Sequence, residues 1–227
     1  MKIRIHAGQI GQMINADVAH VGAAPQPTQP PDRAMVRVLF LAANPMSTSR
    51  LRLDEEMRAI DEAIRRGEHR DRFDLRQHWA VRASDVASHL QRHQPDIVHI
   101  VGHGASSGDL ILEDEHGSMR PVPPEQLARI FVLLLARLRC VVFNACHSRA
   151  QAEAIAQHIG AVIGMSQPVG DRSAIGFASA FYEALAYGRT VKTAFELGLA
   201  QARAAGAQQQ GDPVLLGCAD AAQLHFA

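Results

Sequence analysis

The 227-residue chain reads as an α/β protein built on a mostly parallel sheet covered on both faces. Two observations carry this. Short β-branched or apolar runs alternate with longer stretches of helical periodicity, the order expected of strands joined by crossover helices. Several of the runs are also apolar at consecutive positions, as in strands with no solvent-facing side: Ile97-Val98-His99-Ile100-Val101, Cys140-Val141-Val142-Phe143 and Ala161-Val162-Ile163-Gly164-Met165.

The elements follow in order. Residues 1–24 stand apart, with Gly, Gln and Asn interleaved with Ile, Met and Val in Gly8-Gln9-Ile10-Gly11-Gln12-Met13-Ile14-Asn15. Pro25, Pro27, Pro30 and Pro31 make residues 25–35 a semi-rigid, polyproline-like linker. The folded domain is expected over 36–217, with 218–227 as a C-terminal tail. Val36 to Ala43 is a strand ended by Asn44-Pro45, and Leu53, Met57, Ile60 and Ile64 mark an amphipathic helix closing at Gly67. Phe73 to Val81 is the next strand. Ser84 is placed to N-cap a helix through His93, and Pro95 precedes a strand ending at Val101. Leu110-Ile111-Leu112 and the turn from Glu113 to Gly117 suggest a hairpin. Pro124 then opens a helix to about Leu138. After the strand at Cys140, Ser148 with Gln151 three positions on has the pattern of a capping box. The strand Ala161 to Met165, helices over 171–187 and 190–205, and a strand Pro213 to Leu216 complete the set.

Composition excludes several classes. Lys plus Arg number 23 and Asp plus Glu 23, so there is no net basic charge for a nucleic-acid surface. The 3 cysteines, without tight repeat spacing, fit neither a disulfide framework nor a Cys-x-x-Cys zinc site, and imply a reducing compartment. The longest apolar run, Ile130 to Ala136, is far below the ~20 residues of a membrane span, and the N-terminus has no apolar signal core. A cytoplasmic protein with no cofactor is expected.

In parallel α/β sheets, ligands bind beyond the carboxyl ends of the strands. Two such ends carry His103 and Cys146. Their separation allows one crossover between neighbouring strands, so both could emerge at the same sheet edge as a Cys-His dyad. Gly102 and Gly104 let the chain turn around His103, and the N–H groups of Gly104 and Cys146 could form an oxyanion hole. The position of Cys146 before a helix would also favour the thiolate. The alternative is a buried structural Cys and a His at a strand end, which is the reading for Cys140 and Cys218 as core thiols and for His99 as a satisfied core histidine. His147 invites a metal reading, but no Cys-x-x-Cys or His-x-x-x-His accompanies it, so no metal is expected.

Val98-His99-Ile100-Val101-Gly102-His103-Gly104 and Val141-Val142-Phe143-Asn144-Ala145-Cys146 resemble the two signature blocks of CHAT domains, caspase-like cysteine peptidases of the clan that includes caspases, separases, gingipains and legumains. Phe40-Leu41-Ala42-Ala43-Asn44-Pro45, Leu53-Asp54-Glu55-Glu56, Gln151-Ala152-Glu153-Ala154-Ile155-Ala156 and Ala161-Val162-Ile163-Gly164-Met165 are similar to further parts of the same family. The resemblance spans roughly residues 36–217. It implies a caspase-like three-layer sandwich, an endopeptidase with His103 as general base and Cys146 as nucleophile, and a protein substrate. Gln167-Pro168-Val169-Gly170-Asp171 is similar to the loop that in related enzymes binds a basic side chain before the cut, which makes Asp171 the substrate-binding carboxylate; otherwise Asp171 N-caps the next helix. The chain departs from the aromatic-rich form of that loop at Gln167 and Gly170.

Residues 1–24 admit two readings: an amyloid-like signalling motif that stacks with itself or a homotypic partner, or a hairpin that pairs with a sheet edge. The expected function is proteolysis of a partner protein in a bacterial defence or regulated-death pathway after recruitment through this segment. The alternative is a non-catalytic CHAT-like scaffold assembling through it. A flavodoxin-like small-molecule domain is disfavoured, because no Gly-x-Gly-x-x-Gly follows the first strand.

Overall fold

The computed structural model describes residues 35–206, 213–217 and 223–227. The expectations for residues 1–24, for all but the last residue of the linker and for Cys218 lie outside these residues.

In chain order the elements are β1 (Val36–Ala42), α1 (Leu53–Arg66), β2 (Phe73–His78), α2 (Ala83–His93), β3 (Ile97–Val101), β4 (His103–Gly104), β5 (Leu110–Glu113) and β6 (Met119–Val122). They continue with α3 (Pro124–Leu133), β7 (Cys140–Asn144), α4 (Arg149–Ile155), β8 (Ala161–Met165), α5 (Asp171–Ala186), α6 (Val191–Ala204) and β9 (Pro213–Leu216). Among the described residues, six strands form one sheet in the order β2-β1-β3-β7-β8-β9. All its pairs are parallel except β8 with β9. A second, antiparallel sheet of three short strands, β4-β5-β6, stands beside it.

The two-residue period of a strand divides the core. Val36, Val38, Phe40 and Ala42 of β1 pack into a cluster with Ile60 of α1, Phe177 and Phe181 of α5, and Ala194 of α6. Leu39 and Leu41 point the other way, into a cluster with Leu90 of α2, Phe131 of α3 and Ile155 of α4. The result is the expected three-layer α/β arrangement, helices on both faces of a mostly parallel sheet. No described helix is long and apolar enough to cross a membrane.

Several local expectations are corrected. Strand β2 stops at His78, because Ala80 takes a left-handed φ of 53° that no strand continues through. Ser84 lies inside α2 rather than capping it; Arg82 is the N-cap residue, and its backbone N–H donates to the Asp85 carboxylate at 3.2 Å. Helix α3 ends at Leu133, and the chain turns back so that Leu138 is buried. Ser148 does precede α4, but its hydroxyl makes no capping bond. It donates to the Phe143 carbonyl at 3.0 Å and accepts from the Met165 N–H at 2.9 Å, joining the ends of β7 and β8. Gln151 is equally committed elsewhere, donating to the carbonyls of Gly108 and Val122. These long-range bonds displace the local capping box.

The end of the chain, expected as a tail, packs on the domain. Phe226 is buried within the α1/α5/α6 core cluster, the Arg139 guanidinium lies 4.3 Å over its ring, and the Val191 N–H donates to the Leu224 carbonyl at 2.7 Å. Phe226→Ala should therefore lower the unfolding free energy by about 3 kcal/mol, read as a reduced urea midpoint at unchanged slope. A midpoint within error of wild type would show that the C-terminal residues contribute no packing.

Candidate active site

Strands β3 and β7 are parallel neighbours with Val101 opposite Asn144. The chain therefore leaves both at the same edge of the sheet, through Gly102-His103-Gly104 and Ala145-Cys146-His147. The two loops touch through their backbones. A Cβ placed on Gly104 would run into the Cys146 carbonyl oxygen, and one on Gly102 would lie 2.9 Å from the Ala43 carbonyl oxygen, so both close approaches require glycine.

His103 and Gly104 are held from the other side as well. They form β4, opposite Ile111 and Leu110 of β5, where the sequence pattern predicts a loop. The next residue, Ala105, donates its N–H to the Asp109 carbonyl at 2.9 Å. Because successive N–H groups of a strand point to opposite edges, the Gly104 N–H is directed away from β5.

The His103 ring is oriented by a third group. Its Nε2 lies 2.7 Å from the Ser49 carbonyl oxygen, and since a carbonyl only accepts, Nε2 carries the proton and donates it. In the neutral ring Nδ1 is then the nitrogen with a free lone pair. Ser49 sits in the β1–α1 loop, which is tied down along its length. The Asn44 N–H donates to Glu113 at 3.0 Å, the Leu51 N–H to the Asn44 side chain at 3.4 Å, and the Met46 N–H to the Gly117 carbonyl at 3.0 Å.

Cys146 is half-buried, while Cys140, at the start of β7, is fully buried. Burial pushes the Cys140 thiol up to about 12, which makes it an inert core residue as expected. Cys146 does not abut a helix. His147, with a left-handed φ of 55°, and Ser148 separate it from α4. A non-glycine residue in that region is uncommon, and here it turns the chain immediately after the thiol.

Beneath the two loops lies a buried polar chain. The Asn144 side-chain N–H donates to Glu56 Oε1 at 2.6 Å, His99 Nε2 lies 2.8 Å from the same oxygen, and His99 Nδ1 lies 3.2 Å from the Tyr182 hydroxyl. With the proton on Nε2, His99 donates to Glu56 and accepts from Tyr182, so both ring nitrogens are satisfied and Glu56 Oε1 accepts twice. Burial holds the Tyr182 phenol well above its usual range, which keeps it a donor. His99 is thus the satisfied core histidine expected. The chain joins α1, β3, β7 and α5, and Asn144 is two residues before Cys146. Sequence reasoning missed Glu56 as a buried group. Its signal was the spacing: Leu53, Glu56, Ile60 and Ile64 fall on one stripe of α1, and all four are buried.

His103, Cys146 and Asp171 line a single cleft, together with Glu56, Leu51 and Val169. Asp171 is the first residue of α5 but not its cap; Gly170 occupies that position. The capping alternative for Asp171 is therefore overturned, and the residue borders the cleft from the first turn of α5.

The family model of the CHAT domain matches residues 16–215. Two curated relatives share about a quarter of their residues with the chain. A "Probable protease" of Gillisia limnaea is 24% identical over 154 residues, covering 67% of this chain and 27% of the relative. A "Roc-COR-CHAT protease" of an unknown prokaryotic organism is 25% identical over 156 residues, covering 66% of this chain and 15% of the relative. The chain thus corresponds to a minor part of both. Among solved structures, caspase-1 from Spodoptera frugiperda superposes with a TM-score of 0.55 at 14% identity, over 82% of this chain and 86% of that one. The structure of pro-sf-caspase-1 gives 0.53 at 12% identity, over 82% and 91%. These two show a shared caspase-like fold.

Two outcomes follow from the geometry. Glu56→Ala leaves Asn144 and His99 buried without their acceptor and should destabilise the protein by about 3 kcal/mol, with Glu56→Gln losing less; equal stability of Glu56→Ala and wild type in urea would remove the network's structural role. Brief alkylation of the native protein with iodoacetamide should modify Cys146 and spare Cys140, as mapped by peptide mass spectrometry; labelling of Cys140 at a comparable rate would contradict the burial described.

Proposed function

The chain belongs to the CHAT domain family, and on that premise we propose that it is a caspase-like cysteine endopeptidase acting through Cys146 and His103. The observation that carries this reading is the seating of Gly104 on the Cys146 backbone, with His103 anchored to Ser49 in the same cleft. A nucleophile, an oriented base and a backbone donor aimed away from its own sheet then converge at one sheet edge. The protease names of the relatives and the caspase-like fold support the same class.

The chemistry is acyl transfer. Cys146 Sγ attacks the peptide carbonyl carbon while its proton passes to His103 Nδ1, and the Ser49 carbonyl steadies the imidazolium through Nε2–H. The carbonyl oxygen, now negative, is stabilised by the N–H groups of Gly104 and Cys146. Collapse breaks the C–N bond, and His103 returns its proton to the leaving amine. Water then adds to the thioester, giving a proton to His103, and the acid is released as that proton returns to the thiolate.

Asp171 is the group proposed to select the substrate. A carboxylate at the rim of the cleft would pair with a basic side chain preceding the scissile bond, most favourably the bidentate fork of Arg. Regulation is proposed to run through residues 1–24, recruiting the peptidase in the cytoplasm to a partner or to further copies of itself in a bacterial defence pathway. The support for that is their Gly, Gln, Ile and Asn composition.

Cys146→Ala should abolish cleavage of a peptide library, and His103→Ala should slow it by ~10²–10⁴-fold. Full activity of either variant would overturn the dyad. Asp171→Ala should lose the preference for Arg over Leu before the cut while still cleaving; an unchanged preference would remove Asp171 from recognition.

A further inference from the structure

A second cluster of chemically capable side chains lies outside the cleft. Helix α2 carries His89 and His93 one turn apart, a spacing of four that places both on one face. That face meets the end of β2, an edge strand of the main sheet, whose last residue is His78. One ring nitrogen from each of these three histidines falls within 4.8 Å of the others. His78 Nε2 and His93 Nε2 are 2.8 Å apart, and the rings of His78 and His89 stack at 3.7 Å between centroids. All three are half-buried, and none lines the cleft of Cys146.

The chemistry of the cluster is that of a ligand set. Two imidazole nitrogens 2.8 Å apart cannot both carry protons, so at least one lone pair points into the cluster. Among the described residues no carboxylate hydrogen-bonds any of the three rings; Asp85 near His89 and Asp74 near His93 act on them only through space and favour the charged ring. All three nonetheless lie below the ordinary histidine range, burial being the first cause, with Arg92 adding to it for each and the neighbouring rings adding to it for His89 and His93. Neutral rings are the form that metals bind.

We propose that His78, His89 and His93 form a binding site for one divalent transition ion of the Zn²⁺ class, with water completing the coordination. Three imidazoles without thiolate suit Zn²⁺, Ni²⁺ or Cu²⁺ rather than Mg²⁺ or Ca²⁺. At metal–nitrogen distances of about 2.0–2.1 Å, tetrahedral ligands stand roughly 3.3 Å apart. The His78–His93 contact of 2.8 Å would have to open to that separation and the stacked His78 and His89 rings to turn, while no pair of ligand nitrogens starts beyond 4.8 Å. The bound ion would clamp edge strand β2 to α2. This site corrects the expectation of no metal, which follows from the surroundings of His147 alone: the His89-x-x-x-His93 spacing is present in the sequence, and the fold brings His78 to it.

The test is a titration of the untagged full-length chain with Co²⁺, followed by displacement with Zn²⁺. The expected result is saturation at one Co²⁺ per chain, with visible absorption bands of a four-coordinate ion that Zn²⁺ abolishes. His89→Ala and His93→Gln should each weaken binding by about 100-fold. Their metal-free melting temperatures should stay near that of wild type, while the Zn²⁺-induced rise in melting temperature disappears. His116→Ala, at an exposed turn, should bind as wild type does. Absence of saturable binding below ~1 mM, or undiminished binding by both cluster variants, would overturn the site. None of these readouts involves proteolysis, so the site stands or falls separately from the peptidase reading.

Discussion

The buried carboxylate of Glu56 is the constraint on which the site depends. A charge-bearing group inside a core is tolerated only when its neighbours replace the lost water, and Asn144 and His99 do so from two adjacent strands. Their positions are thereby linked to α1, and through Tyr182 to α5. The residues that follow these strands carry the proposed chemistry. The network lies beneath the cleft and, through Asn144 two residues before Cys146, bears on the level and rotation at which β7 delivers the thiol to the sheet edge. A wholly apolar layer would pack as tightly without specifying that register so narrowly.

Above this layer, positioning passes from side chains to backbone. Gly104 lies against the Cys146 carbonyl at a separation that no other residue permits, and β4 holds His103 and Gly104 in the small sheet. His103 is then steered by the Ser49 carbonyl, supplied by a loop that Asn44, Glu113 and Gly117 keep in place. The loops that carry His103 and Ser49 are therefore each fixed by at least one bond to a different element. Such preorganisation is what acyl transfer requires, because donors already aimed at the developing charge need not reorganise during the reaction.

Much of this was legible in the sequence, and the exceptions share a cause. Continuous apolar runs announce buried parallel strands whatever their partners, so β3, β7 and β8 could be placed to within a residue. His103 and Cys146 were visible because they follow such runs. The roles of Ser148 and Gln151 were not. Their three-residue spacing matches a local capping pattern, whereas their actual partners, Phe143, Met165, Gly108 and Val122, are set by tertiary packing. The stripe spacing of α1 singles out Glu56 over Glu55 as the inward carboxylate, but only the fold shows that it meets His99 and Asn144. Ser49 contributes a carbonyl, which every residue possesses, so its role left no trace in residue type. His78 and α2 are likewise brought together only by the arrangement of β2 at the sheet edge.

The central claim is that this scaffold presents Cys146 as a nucleophile with a backbone oxyanion site beside it. The most direct measurement is a crystal structure of the protein treated with a peptide aldehyde ending in Arg. The account predicts a covalent bond from Cys146 Sγ to the aldehyde carbon, with the resulting oxygen roughly 2.7–3.1 Å from the N–H groups of Gly104 and Cys146. An adduct whose oxygen faces solvent, or a Cys146 that remains unmodified while the aldehyde occupies the cleft, would contradict it.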